Sequence, residues 1–154
     1  MRYIIDGNNF LGAIGRDRSP ENIEYLFDEL HAAVKKFEYV VVFDGSQPPH
    51  YIDPHDITVI WQDKFIDTDG DDTLTRFVTK YGSRTQDVVV TQDKMLHARA
   101  IDFVSKVITP QDFIHQLSKN TQQDFVYEEK GEEYEGVDSD SITEELREVW
   151  RKKL

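Results

Sequence analysis

Two kinds of apolar pattern alternate along this chain. Short unbroken runs, Tyr3-Ile4-Ile5, Tyr39-Val40-Val41-Val42-Phe43, Ile57 to Trp61, Val88-Val89-Val90 and Phe103 to Ile108, predict five strands. Between them, apolar residues return at helical spacing. Ile23, Leu26, Phe27, Leu30, Val34 and Phe37 predict one helix, entered through Ser19-Pro20-Glu21 as N-cap, first-turn proline and first-turn acid. Leu74, Phe77, Val78 and Tyr81 predict a second, closed by Gly82. Leu96, Ala100 and Phe103 mark a third. Thr109-Pro110-Gln111-Asp112 caps a fourth, with Phe113, Ile114 and Leu117 on its stripe. Asp6-Gly7-Asn8-Asn9 and Asp44-Gly45 read as turns that stop the first two strands.

Strands rich in branched residues and lacking polar alternation imply burial on both faces, so the pattern predicts an α/β fold with a mainly parallel central sheet between helical layers. After Ser118 the character changes. Residues 119–154 form an acidic appendage in which Phe125-Val126-Tyr127 and Tyr134-Glu135-Gly136-Val137 would pair as a hairpin. Ile142, Leu146, Val149 and Trp150 would stripe a terminal helix. The sheet domain is thus expected over residues 1–118.

The 154 residues suit one compact domain with that appendage. No apolar run approaches the roughly 18 to 20 residues that cross a bilayer, and no signal peptide is legible at the amino terminus. The absence of cysteine excludes disulfides and thiolate zinc sites. A cytoplasmic protein without membrane contact is the expectation. The net charge of -12 argues against tight nonspecific nucleic-acid binding by the bare chain. The acidic excess is concentrated between Asp124 and Glu148, however, while Arg16, Arg18, Lys64, Lys80, Arg84, Lys94 and Arg99 lie earlier.

In open parallel sheets, ligands bind beyond the carboxyl ends of the strands. Asp6 and Asp44 end the first two strands, Asp71 opens the second helix, and Asp93 follows the fourth strand. By helical phase Asp71 shares the inward face of Leu74 and Val78, Asp72 points outward, and Asp93 lies with Leu96 and Ala100. Each acid also has an ordinary explanation as a turn residue or N-cap. Together, converging carboxylates repel unless a cation or a shared proton compensates, and hard oxygen donors suit Mg²⁺ or Mn²⁺. Such a cluster suits metal-assisted phosphodiester hydrolysis.

The segments Ile5-Asp6-Gly7-Asn8-Asn9, Val42-Phe43-Asp44-Gly45, Gly70-Asp71-Asp72-Thr73-Leu74, Val89-Val90-Thr91-Gln92-Asp93-Lys94 and Ile108-Thr109-Pro110-Gln111-Asp112-Phe113 occur in this order over residues 1–118. In these the chain resembles the NYN domain family, in particular its YacP-like members among the PIN-like nucleases. The resemblance implies a PIN-like, Rossmann-like three-layer fold. It also implies a metal-dependent endoribonuclease whose catalytic, metal-binding carboxylates are Asp6, Asp71 and Asp93. Asp44 would bind metal through water or support a ligand, and Asp72 is a reserve ligand. Asn9 would steady the first acid or a substrate phosphate, and Thr91 would orient Asp93, although a polar strand end explains it more simply. Asn8 and Gln92 depart from the family's usual residues without removing a ligand.

Lys94 and Arg99 follow Asp93 and are candidate phosphate contacts, although solvated helix charge explains them equally. Trp61 is expected in the core rather than stacked on a base. Asp67 to Asp72 fails the EF-hand spacing, and the five histidines lack HExxH spacing. RNA is the expected substrate, DNA remains chemically open, and weak intrinsic affinity fits delivery by the ribosome or another RNA-containing assembly. Two other readings stay open: a non-catalytic RNA- or protein-binding adaptor, and a haloacid-dehalogenase-like phosphatase. The latter wants a second Asp where Asn8 stands. Oligomeric state is not legible in the chain.

Overall fold

Valine, isoleucine and aromatic side chains fit the pleated surface of a sheet, and here they fill both of its faces. The computed structural model describes residues 1–33, 37–62 and 73–118. Five parallel strands, β1 (Arg2–Asp6), β2 (Glu38–Phe43), β3 (Thr58–Trp61), β4 (Asp87–Val90) and β5 (Lys106–Ile108), pair in the order β3-β2-β1-β4-β5. The helices are α1 (Gly7–Ala13), α2 (Pro20–Ala33), α3 (Thr73–Tyr81) and α4 (Lys94–Ala100), with α5 helical over residues 110–118.

Side-chain alternation sorts the strands onto two cores. Tyr3, Ile5, Val41, Phe43 and Val90 face Phe10 and Leu11 of α1, Leu26 and Phe27 of α2, and Phe113 of α5. On the other face Ile4, Val40, Val42 and Val89 meet Leu74 and Val78 of α3 and Leu96 and Ala100 of α4. Ile4 and Ile5 are both fully buried, on opposite sides of the sheet. Each such side chain contributes on the order of 1.5–3 kcal/mol on leaving water. The three-layer α/β arrangement is the one expected.

Several local expectations are corrected. Asp6-Gly7-Asn8-Asn9 is no turn; it is the entry of α1, with Asp6 as N-cap. Gly7 is required by crowding, because a Cβ there would lie 2.4 Å from the Phe43 ring. At Asp44-Gly45 the turn reading holds, and Gly45 has φ +92°. Gly82 closes α3 without a left-handed backbone. Its Cβ would collide with the Val78 carbonyl oxygen at 2.4 Å. Phe37 lies outside α2, and Phe103 outside both α4 and β5, the latter beginning only at Lys106. Ile114 is exposed although it follows the fully buried Phe113.

Ser19 receives the Asn22 N–H at the start of α2, and Thr109 receives the Asp112 N–H at the start of α5. Trp61 is buried, with its indole N–H donated to Asp53 at 3.0 Å, which places it in the core as expected. Val34, the segment containing Asp71 and Asp72, and the hairpin and helix expected after residue 118 lie outside the described residues. Among the described residues, no helix is long and apolar enough to cross a membrane.

The strand order positions the site. The chain builds outward from β1 to β2 and β3, then returns past β1 to β4 and β5. Connections therefore leave β1 and β4 in opposite directions, and this divergence opens a crevice beyond their carboxyl ends.

Candidate active site

Asp6 ends β1 at the mouth of this crevice. Its alternation places it on the side of Ile4, toward α3 and α4. Its backbone is extended (φ −71°, ψ 98°), and its Oδ1 accepts the Asn9 N–H at 3.0 Å, starting α1. Ile5 pairs with Val90, so Thr91 falls level with Asp6 on the neighbouring strand. The Thr91 side chain is buried, and its hydroxyl donates to Asp6 Oδ2 at 3.3 Å. The Thr91 hydroxyl oxygen in turn accepts the Asp93 N–H at 3.1 Å. One threonine hydroxyl thus ties the first acid to the backbone of the second.

Asp93 is the N-cap of α4. Its Oδ1 accepts from the N–H groups of Met95 and Leu96 at 2.7 and 3.2 Å. As an exposed cap it does not lie inward with Leu96 and Ala100, which are buried. Asn9 closes the ring: its Oδ1 accepts the Gln92 N–H at 2.8 Å, pinning the β4–α4 connection against α1. Since Oδ1 is the acceptor there, its Nδ2 remains a donor for a substrate. Asp6, Asn9, Thr91 and Asp93 are therefore brought together by hydrogen bonds across the crevice.

Asp44 stands one residue past β2 and is exposed. Its backbone carbonyl accepts from Asn8 Nδ2 at 3.2 Å and also from the Arg18 guanidinium. The next residue, Gly45, donates its N–H to Gln62 Oε1 at 2.7 Å. Lys94, the first residue of α4, is exposed beside Asp93. Arg99 lies in the last turn of α4, about 7.5 Å beyond Lys94 along the helix axis at 1.5 Å per residue. The geometry therefore keeps Lys94 at the crevice and separates Arg99 from it.

Asn8 lay in the first motif only as a departure from the family's usual residue, and no motif pointed to Arg18. Thr91 had a signal, a hydroxyl ending a run of three valines, but its second bond, to Asp6, follows only from strand register.

The donor set is hard oxygen: two carboxylates, with a hydroxyl and an amide beside them. Asp93 Oδ2 makes no hydrogen bond among the described residues, which leaves that oxygen an open acceptor. This chemistry fits a hard divalent cation. Among the described residues, no group of three or more acids or histidines stands close enough to hold a metal alone.

A parallel α/β sheet with carboxylates at its topological crevice defines a class of α/β folds that bind ligands beyond the carboxyl ends of their strands. Within that class the chain belongs to the YacP-like NYN domain family, whose model matches residues 3–154. The match runs past residue 118, where the sequence motifs end. The family is nuclease-like and RNA-related, and NYN nucleases generally use divalent metals. Two solved structures of Rae1 (YacP) from Bacillus subtilis share the fold. One is 15% identical, covering 99% of this chain and 93% of that one, with a TM-score of 0.60. The other, a tryptophan-to-leucine mutant, is 17% identical, covering 87% and 86%, with a TM-score of 0.59. No curated protein matches the chain.

Proposed function

We propose that this protein is a metal-dependent endoribonuclease that hydrolyses phosphodiester bonds in the β1–β4 crevice. The observation that carries the reading is the Thr91 hydroxyl, which links Asp6 to the backbone of Asp93 at the strand ends. A structural cap needs only its own helix; here two caps from separate strands share one bridge. Asp71, two residues before Thr73 in sequence, is the proposed third carboxylate, with Asp72 and Asp44 in support. Mg²⁺ or Mn²⁺ bound there would supply Lewis-acid activation of water and of the leaving oxygen.

The chain's own residues hold and position. Asp6 and Asp93 supply fixed negative oxygens, Asn9 Nδ2 offers a donor to a phosphate oxygen, and Lys94 adds positive charge on the β4 side. Hydrolysis of this kind needs no ribose 2′-hydroxyl as nucleophile, so DNA stays within the chemistry and RNA preference rests on the family. The net charge of -12 fits weak binding of free RNA and delivery by the ribosome or another RNA-containing assembly. A haloacid-dehalogenase mechanism is disfavoured: Asn8 stands where the second acid would, and its amide is bonded to the Asp44 carbonyl.

Labelled single-stranded and structured RNA, with matched DNA, should be cut in Mn²⁺ or Mg²⁺ and not in EDTA. Cleavage that persists in EDTA would refute metal dependence. Metal binding by the folded protein without cleavage would point to a missing partner or a narrow target, and no metal binding at all would favour the adaptor reading. Co-sedimentation with ribosomes tests delivery, and its absence from every RNA-containing assembly would sink that part.

A further inference from the structure

We infer that Arg18 is a phosphate-binding residue of this crevice, taking a backbone phosphate of the nucleic-acid strand on the β2 side of Asp6. The inference rests on the nuclease reading for its substrate class and on independent geometry for its position.

α1 begins beyond β1, and the loop after it returns the chain to the same edge before α2 starts. Arg18 sits in that loop. Its guanidinium donates to the Asp44 carbonyl oxygen, the oxygen that also receives Asn8 Nδ2. Two donors on one acceptor lie within about 6 Å of each other, given ordinary hydrogen-bond lengths. Asn8 in turn belongs to the first turn of the helix that Asp6 caps. Arg18 is therefore connected to the first acid through one carbonyl and one side chain.

Gly45 makes the placement possible. A Cβ on it would fall 2.7 Å from Arg18 Nη1 and 3.3 Å from Cζ, so the guanidinium lies directly against the turn backbone. A residue other than glycine would displace it.

Three other described arginines are committed elsewhere. Arg2 is bound to Asp87, Arg16 stacks on Tyr25 at 3.9 Å and bonds Asn22, and Arg84 donates to the Asp102 carbonyl. Arg18 is exposed and makes no ion pair among the described residues, in a chain with 30 acidic and 18 basic residues. A guanidinium carries five donors in a fixed fork suited to phosphate, and one contact to a carbonyl leaves most of them available.

Its position complements Lys94. The two cations flank β1 from the β2 and β4 sides, and two strand spacings of about 4.8 Å separate those strands. A single strand crossing the sheet edge would thus meet Arg18, then the carboxylates, then Lys94. Positive charge on both sides would also offset repulsion between an acidic protein and a polyanion.

The test is RNA binding by fluorescence anisotropy across a salt series, together with cleavage kinetics, for the full chain and two variants. Arg18→Gln keeps a donor for the Asp44 carbonyl but removes the charge; Arg18→Lys keeps the charge. Arg18→Gln should weaken binding on the order of tenfold, the size of a charged hydrogen bond. It should also lower the slope of log affinity against log salt by about 0.7, the value for one contact on a single strand. KM should rise with kcat unchanged, and Arg18→Lys should restore most of the loss. Wild-type affinity and slope in Arg18→Gln would overturn the proposal, as would a fall in thermal stability or kcat without a change in slope. The salt slope does not depend on hydrolysis. If no nucleic acid is cut but the slope still falls, the phosphate contact stands and the nuclease reading fails. Absence of RNA binding by the wild type would overturn both.

Discussion

Asp87 opens β4 and Asp93 follows its end, and these two acids meet opposite surroundings. Asp87 is 1% exposed and ion-paired: it accepts from Arg2 Nε at 3.0 Å, Arg2 Nη2 at 2.6 Å and the Ser83 N–H at 2.8 Å. Its backbone carbonyl receives both the N–H and hydroxyl of Ser105. Asp93 is exposed, takes only backbone N–H groups, and pairs with no lysine or arginine among the described residues. A buried acid with a bidentate arginine is structural: the pair locks the amino edge of the sheet, and the hydrogen bond to Asp87 raises the Arg2 pKa. An acid fixed by neutral donors keeps its negative charge uncompensated and available. The same residue type therefore does unlike work at the two ends of one four-residue strand.

The largest effect should come from the amino edge. Asp87→Ala removes the partner of Arg2 and the acceptor for Ser83, and should destabilise the fold by about 3–5 kcal/mol in chemical denaturation. Activity per folded molecule should be unchanged; a loss of activity with stability intact would dissolve the contrast.

Next in size is Asp6→Asn, which keeps an Oδ1 acceptor for the Asn9 N–H. Cleavage should fall on the order of 10²–10³-fold, as when one electrostatic group of an active site is lost. The thermal midpoint should move little, and a large drop would recast Asp6 as a structural cap.

Thr91→Val should follow. It preserves shape and removes the hydroxyl bridge, so cleavage should drop about 10–100-fold, as for residues that orient metal ligands. Unchanged single-turnover rates would show that the bridge is incidental.

The smallest effect belongs to the exposed pair His31–Asp56, 2.5 Å apart. The hydrogen bond from His31 lowers the Asp56 pKa below its ordinary value of 3.8. A depressed carboxylate pKa contributes stability above the unfolded value, and that contribution is lost as pH falls through the folded one. Because both groups are solvated, His31→Ala should leave the thermal midpoint at neutral pH unchanged, as differential scanning calorimetry would show. A clear drop would mean that exposed pairs at this edge matter as much as the buried one.

Much of this was legible in the chain. Unbroken runs such as Tyr39 to Phe43 announce strands buried on both faces, and the positions of Asp6 and Asp93 after two of them mark the ligand edge. The entry to α1 was not legible, because Asp-Gly serves turns and helix starts alike. Glycine itself is demanded for different reasons at the two, by the Phe43 ring against Gly7 and by the left-handed φ of +92° at Gly45. Helical phase also misled at Asp93. It assumes the residue is already in the helix, whereas a cap has an extended backbone, here φ −71° and ψ 117°. Arg99 looked close to Asp93 in sequence, but the helix between them carries it away from the edge. Thr91 needed the register of β1 against β4, which no local pattern encodes.

The central claim is that Asp6 and Asp93 form one cation-binding centre. Isothermal titration of Mn²⁺ into the full chain and into Asp6→Asn/Asp93→Asn tests it most directly, with circular dichroism confirming that both are folded. The account predicts that the double variant loses the Mn²⁺ binding heat seen for the wild type, and metal-dependent RNA cleavage with it. Undiminished Mn²⁺ binding by the folded double variant would contradict the account and place the metal, and the chemistry, elsewhere on the protein.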